Sequence, residues 1–488
     1  MKPLSAAVPP ANAPTTDFDL VIIGSGAAGM MAAATAAEYL THPSRPTARI
    51  AILEKNSQPG IKVLVCGGGR CNLTNAGDLD FLIGQFGRNG RFLTPALRRM
   101  DNSRLRAWFA SRGVPTHEEH DGKIYPDSNR AASIVNTLVA AMQKAGVVIM
   151  PDCAATDVGR SPGPANFTIQ MVCRDGGDRV RGGRDAGSAM APRDAGSGAT
   201  AGGGTGNIGT LMSRYLLICC GGQSYTRMGT TGDGYRMAAA LGHDIVAPRP
   251  AIVPLLVKES WVPELQGLAV PDVKVTIEVP GPLPRLATGK PTPSVQDLLF
   301  THFGLSGPAV LNVSEIVAEL LEKFSILGIR IDFVRHINHD QLRETFRHWH
   351  RTHGRKLLKT MLSELIPARL AEVFLRLAGA AADTLCAAFT AHQMHQLTEL
   401  CKQCHFQVFA TRGFKEAMVT AGGVRLDQVN PHTMESRICP GLFLAGEILD
   451  LTGPSGGYNL QLAFSTGFLA GECIADKIAA TARLQEQK

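Results

Sequence analysis

The 488-residue chain contains no run of 18 or more apolar residues, so a membrane-spanning helix is not expected. It also shows no export signal. The first sixteen residues are rich in Pro and Ala, carry a lone Lys2 and lack an apolar core, which predicts a disordered tail and a cytoplasmic location. The eleven cysteines are odd in number and scattered, a pattern that speaks against a disulfide framework and for reduced thiols. Cys401-Lys-Gln-Cys404-His405 matches a haem-attachment string, but it lies in a helical pattern and no secretory signal accompanies it. One C-x-x-C pair is also too few ligands for a closed zinc site, so no metal is expected. Charged residues make up 19% against 44% hydrophobic, which fits neither a disordered chain nor a membrane one. A net charge of +7 is compatible with a nucleic-acid partner without establishing one.

The length allows about three domains. Asp17 to Ile23 reads as a short buried strand, Ala27 to Leu40 as an Ala-rich helix, and Arg49 to Leu53 as a second strand, which closes a β-α-β unit. Short strands follow from Gly146 to about Asp175, with another at Tyr215 to Cys220. Between them, residues 174–209 hold twelve glycines with no repeat period, a flexible insertion that lengthens a hairpin loop. Residues 248–339 carry Pro-punctuated strands, such as Val273 to Val279 and Ile326 to Phe333, and 340–407 have helical periodicity. From 408 the chain returns to Gly-rich turns, a strand at Leu442 to Leu444, and a helix from Tyr458 to about Ala480. The expected architecture is α/β: one discontinuous nucleotide-binding domain (17–247 and 408–488), interrupted by a β-rich piece and a helical piece.

Gly24-Ser25-Gly26-Ala27-Ala28-Gly29 matches G-x-G-x-x-G between a strand and a helix, the context that gives the motif meaning. The first glycine allows a tight turn, the second lets backbone approach a pyrophosphate, and the third lets helix and strand pack closely. Glu54 ends the second strand 25 residues beyond Gly29, placed to accept hydrogen bonds from an adenosine ribose, with Lys55 beside it. A second match at Gly204–Gly209 lies in the low-complexity insertion, with no strand before it and no helix after it. No separate NAD domain is therefore visible.

The other end of the chain distinguishes FAD from NAD. Gly441-Leu-Phe-Leu-Ala-Gly446-Glu447 is a short strand running into a glycine and an acid, a pattern seen where an acid reaches the ribityl or pyrophosphate region. Gly456-Gly457-Tyr458-Asn459-Leu460 then opens a helix with small residues at Gly467 and Gly471. Backbone N–H groups at such a helix start would stabilise negative charge on a reduced flavin.

Long blocks carry a resemblance to a known family: Cys66-Gly-Gly-Gly-Arg-Cys-Asn-Leu-Thr-Asn75, Thr230-Thr-Gly-Asp-Gly-Tyr235, Leu299-Phe-Thr-His-Phe-Gly-Leu-Ser-Gly-Pro308, Val419-Thr-Ala-Gly-Gly-Val424 and Thr433-Met-Glu-Ser436, leading into 441–461. The sequence resembles the BaiN/RdsA-like FAD-dependent oxidoreductases, also described as aminoacetone-oxidase-like flavoproteins. The resemblance implies a Rossmann-like FAD domain of the two-dinucleotide-binding type, with inserted β-barrel-like and helical domains. It also implies redox chemistry on an organic substrate, ranging from small-molecule reduction to dihydrouridine formation in ribosomal RNA. The tail and the 174–209 insertion depart from the pattern.

Residues 67–75 are expected over the flavin. Gly68 and Gly69 permit close approach, Arg70 can meet phosphate or the flavin rim, and Asn72, Thr74 and Asn75 offer neutral hydrogen bonds; the other reading is a phosphate loop remote from hydride transfer. Gly221 and Gly222, after the 215–220 strand, complete the cofactor set. Asp233 belongs to that set or simply caps the helix it opens. Cys71 is a candidate proton donor for C=C reduction, or a small packing residue beside the cofactor. His302 could orient substrate or donate a proton, or it could satisfy local backbone groups. Tyr125 is a further pocket candidate.

Two enzymatic readings follow, both with FAD and with NADH or NADPH as electron donor. One is a reductase forming dihydrouridine in ribosomal RNA, for which the basic run Arg343, Arg347, His348, His350, Arg351, His353, Arg355, Lys356 and Lys359 could track phosphates while Trp349 stacks a base. The run could equally be a solvated basic face. The other is a flavin enzyme acting on a small metabolite. A non-catalytic FAD-binding protein is a third reading.

Overall fold

In the computed structural model, which describes residues 17–41, 45–161, 166–174, 207–286 and 291–486, the apolar run Phe18–Ile23 forms strand β1 and the Ala-rich run Ala27–Leu40 forms helix α1. Strand β2 (Ile50–Leu53) lies parallel to β1, with Ile23 opposite Leu53. Both strands are apolar because the sheet is covered on both faces. Val148–Met150 extends the sheet beyond β2, and Asn207–Ile218 lies on the other side of β1. The early part of that long strand turns the sheet antiparallel, pairing with Phe167–Cys173, which pairs in turn with Cys153–Arg160. Its late part is joined in parallel by Leu442–Leu444 from the far end of the chain, with Leu444 opposite Ile218.

The C-terminal helix, Tyr458–Glu486, packs across α1. Added Cβ atoms at Gly467 and Gly471 would stand 2.3 Å and 2.6 Å from the carbonyl oxygens of Ala28 and Ala32, and one at Gly29 would stand 1.9 Å from the oxygen of Gly24. Small residues on both helices thus let the backbones touch.

The chain divides into two units, 1–248 with 422–488, and 249–421. The second contains a closed six-stranded barrel in the order 255–257, 304–306, 294–300, 269–278, 327–332 and 404–411. This corrects two expected boundaries. The β-rich and helical pieces are not separate domains: Leu342, Phe346 and Phe374 from the helices share one core with Phe300, Ile329 and Phe406 of the barrel. The return to the first unit also comes at 422 rather than 408, because Cys404–Thr411 is the strand that closes the barrel.

The tail (1–16) and most of the Gly-rich insertion lie outside the described residues. The insertion's flanks pair as hairpin strands, Cys173 opposite Asn207, and its last residues, 207–209, are already strand. Cys153 and Cys173 stand opposite one another on adjacent strands and form a disulfide, against the expectation of reduced thiols throughout. Cys401 and Cys404 are buried in the core of the second unit. Among the described residues, no helix is long and apolar enough to cross a membrane.

The helix crossing gives a first prediction. Gly467→Ala should cost about 1–3 kcal/mol, the usual range for overpacking. Gly84→Ala, where an added Cβ meets nothing within 4 Å, should be close to neutral. Thermal unfolding of the two variants checks this; equal midpoints would mean the helices do not cross so closely.

Candidate functional site

β1, β2 and the strands 207–218 and 442–444 run parallel and end at one edge of the sheet, the edge at which open α/β sheets bind ligands. The chain leaves β1 through Gly24 with φ 103°, and an added Cβ there would come within 2.8 Å of the Cys219 carbonyl oxygen. Gly26 caps α1, and an added Cβ would meet nothing within 4 Å, so the backbone is open on that side. The first N–H groups of α1 have no intrahelical acceptor and present the positive end of the helix. Glu54 follows β2 and is buried. One carboxylate oxygen accepts from the Ser25 N–H and hydroxyl, and the other from the Asn56 N–H and side-chain amide, both at 2.8 Å.

Two lysine–carboxylate pairs flank this edge. Lys55 Nζ reaches Asp233 at 2.6 Å and the Thr231 hydroxyl at 2.7 Å. Burial opposes the charged form of Asp233, but the hydrogen bonds from Lys55 and Thr231 outweigh it and hold the carboxyl below its usual range. Asp233 is not a helix cap; Gly232, with φ 80°, occupies that position. Lys62 Nζ donates to Glu447 at 2.5 Å and to Ser224 Oγ at 2.6 Å, while Ser224 donates to the other Glu447 oxygen at 2.7 Å. Gly221 lies against this group, where an added Cβ would stand 3.6 Å from the Glu447 carboxylate. Sequence reasoning missed Lys62 and Ser224, which belong to no motif. Their only signals are their positions just before the Cys66 block and just after Gly221–Gly222.

The 66–75 loop differs from expectation. Gly67 and Gly68 adopt left-handed conformations, φ 58° and 66°, and an added Cβ on Gly68 would meet open space. Beyond them the side chains face the protein. Arg70 donates to Glu119 at 2.6 Å and to Asn129, and its guanidinium stacks 4.0 Å from the Tyr125 ring. The Asn72 amide accepts from the Gly457 N–H at 3.0 Å and donates to the Thr74 carbonyl. Thr74 bonds to Gln461, and Asn75 donates to the Gly456 carbonyl at 3.3 Å. Asn459 is also occupied locally, accepting from Gly453 N–H at 2.9 Å and donating to its carbonyl at 2.7 Å. Tyr458 is buried with its ring 6.3 Å from that of Phe81, and Leu460 follows it in the first turn. These residues tie the loop to the start of the C-terminal helix.

Cys71 has no exposed surface and packs in the core of the first unit, and burial pushes its thiol well above the ordinary range. That burial favours the packing reading of Cys71 over the proton donor. Cys66, also burdened by burial, is pushed up to about 11 and donates to the Lys62 carbonyl. His302 belongs to the second unit, exposed at the tip of a tight turn in which Thr301 and Gly304 bond to one another.

The basic run is also largely spoken for. Arg347 and Arg351 pair with Glu344, Arg343 lies near Asp340 and Glu399, and Lys359 pairs with Glu372. Trp349 is 5% exposed and packs against Phe346, so it cannot stack a base.

A family profile described as "HI0933-like protein Rossmann domain" matches residues 18–175 and 199–473. The chain belongs to this BaiN/RdsA family of FAD-dependent oxidoreductases. It is 31% identical over 461 residues to the 3-dehydro-bile acid delta(4,6)-reductase of Clostridium scindens, covering 93% of this chain and 98% of the relative. It is 30% identical over 468 residues to the ribosomal RNA dihydrouridine synthase of Escherichia coli, covering 95% and 98%. The Haemophilus influenzae enzyme of the same name is 28% identical, covering 92% of this chain and 96% of its own. Among solved structures, the open conformation of a flavocytochrome c3 fumarate reductase matches with a TM-score of 0.47 and 14% identity, covering 95% of this chain and 79% of that one.

FAD is the cofactor of this family, and the sheet edge fits it. The open backbone at Gly26 and Gly68, the unbonded N–H groups of α1 and the carboxylates of Glu54 and Glu447 suit pyrophosphate, ribose hydroxyls and a flat ring. Removing the charge of Lys62 leaves Glu447 without its cation next to that edge. Lys62→Met should therefore weaken FAD binding by about tenfold, or ~1.4 kcal/mol. The flavin-to-protein absorbance ratio on dilution checks this, and unchanged retention would place the pair outside the site.

Proposed function

We propose that the chain uses NADH or NADPH to reduce a C=C bond conjugated to a carbonyl, and that its favoured substrate is uridine in ribosomal RNA. The observation that carries this reading is that near-full-length relatives include a reductase of a 3-dehydro-bile acid and synthases of dihydrouridine in ribosomal RNA. Their names describe one reaction: saturation of a C=C bond in conjugation with a carbonyl. Two of the three name ribosomal RNA. Because the family's members are enzymes, the non-catalytic reading is set aside.

The proposed roles follow the geometry. Gly24 to Gly29 receive the pyrophosphate, Glu54 the adenosine ribose, and Lys55 with Asp233 flank it. Gly221, Gly222, Gly446 and Glu447 line the middle of the cofactor, Lys62 holds the Glu447 carboxylate, and Gly68 offers open backbone to the ring system. When bound and reduced, FAD supplies the hydride. The neighbouring carbon then needs a proton, and with Cys71 enclosed we assign that step to His302, whose imidazole is exposed. His302→Asn should slow substrate reduction about 100-fold while leaving flavin reduction by the nicotinamide intact. Cys71→Ser should stay within about twofold of wild type in the same stopped-flow assay. The reverse ranking would restore the thiol as the donor.

A small conjugated ketone is the second reading, favoured by the identity to the bile acid reductase. Nucleoside mass spectrometry of ribosomal RNA from cells with and without the gene separates the two. Loss of dihydrouridine, restored by the intact gene, is expected. An unchanged level in RNA that carries the base would move the assignment to the small ketone.

A further inference from the structure

Besides the paired basic helix, the chain has a second concentration of basic residues, in the other unit. Between Arg88 and Arg106 the sequence has six arginines and a single acid, Asp101. Asp101 is occupied as the cap of the helix Asn102–Ala110, accepting from the Arg104 N–H at 2.7 Å. Arg99 pairs with Glu472 at 3.0 Å. Arg88, Arg91 and Arg98 are exposed and, among the described residues, make no ion pair. Arg91, Arg98 and Arg99 line a groove of about 530 Å³ with His432, whose floor is Leu469 and Cys473 of the C-terminal helix.

We infer that this groove on the FAD-binding unit is a docking site for the phosphate backbone of RNA, an inference that rests on the RNA reading above. Guanidinium groups left unpaired by their own chain are the ones available to phosphate, and Arg presents a planar fork suited to it. The helix 339–352 has the denser string of basic letters, but its arginines are held by Glu344, Asp340 and Glu399. An apolar floor below a cationic rim also accommodates a ribose or base between two phosphates. Leu469 and Cys473 lie roughly 17 to 22 Å along the C-terminal helix from Tyr458, at 1.5 Å per residue. A small ketone filling the flavin edge gains nothing from cations at that distance, whereas a polyanion running past the edge does.

The test uses the FAD-loaded protein and ribosomal RNA transcribed in vitro from the host's own genes, with filter binding from about 50 to 200 mM salt. R91A/R98A should bind at least tenfold more weakly. Its plot of log affinity against log salt should be shallower by roughly 1.4 to 1.8, the loss expected for two phosphate contacts. FAD content and flavin reduction by NADH or NADPH should not change. R347A/R351A should bind like wild type. Wild-type affinity in R91A/R98A, or loss confined to R347A/R351A, would overturn the inference. If dihydrouridine still depends on the gene in that case, only the docking site is wrong. If the wild-type protein neither binds the RNA nor makes dihydrouridine, the RNA reading fails and the docking site falls with it.

Discussion

The two ends of the chain meet most extensively where α1 crosses the C-terminal helix, and the proposed site depends on that crossing. Gly467 and Gly471 bring one backbone against the carbonyls of Ala28 and Ala32 on the other. Leu442–Leu444 then completes the parallel edge beside Ile218. Any side chain at those glycines would push the helices apart and carry Gly446 away from Ala28, where an added Cβ would already be 2.9 Å from its neighbour. The fold thus places residues separated by most of the sequence at one sheet edge.

The 66–75 loop reinforces the same junction. Asn72, Thr74 and Asn75 hold Gly457, Gln461 and Gly456, so polar residues expected at the cofactor also tie the loop to the C-terminal helix start. Gly68 is the position of the block with open space beside its backbone, where an added Cβ would meet nothing within 4 Å. Specific hydrogen bonds within the protein thereby fix the shape of this loop before any ligand binds.

What the sequence made legible was local. The strand Phe18–Ile23, the helix Ala27–Leu40 and the strand Leu442–Leu444 follow from apolar runs bounded by glycine, signals complete within a few residues. The pairing of side chains was not local. Arg70 depends on Glu119 and Asn129, 49 and 59 residues away, and Lys62 on Glu447, 385 residues away. Trp349 is an instructive case, because its burial was readable: Leu342, Phe346 and Trp349 fall at the spacing of one helix face, and all three are buried. The barrel boundary was missed because Cys404–Thr411 pairs with strands far earlier in the chain, which no window of sequence contains.

We propose that a single FAD is held jointly by the two ends of the chain. A crystal structure of the FAD-loaded protein tests it most directly. The expected result is an adenosine ribose on Glu54 and pyrophosphate at the start of α1. Contacts to the same cofactor from Glu447 and the Gly456–Gly457 turn are also expected. Cofactor contacts confined to residues before 250, with the 446–457 segment facing elsewhere, would contradict it.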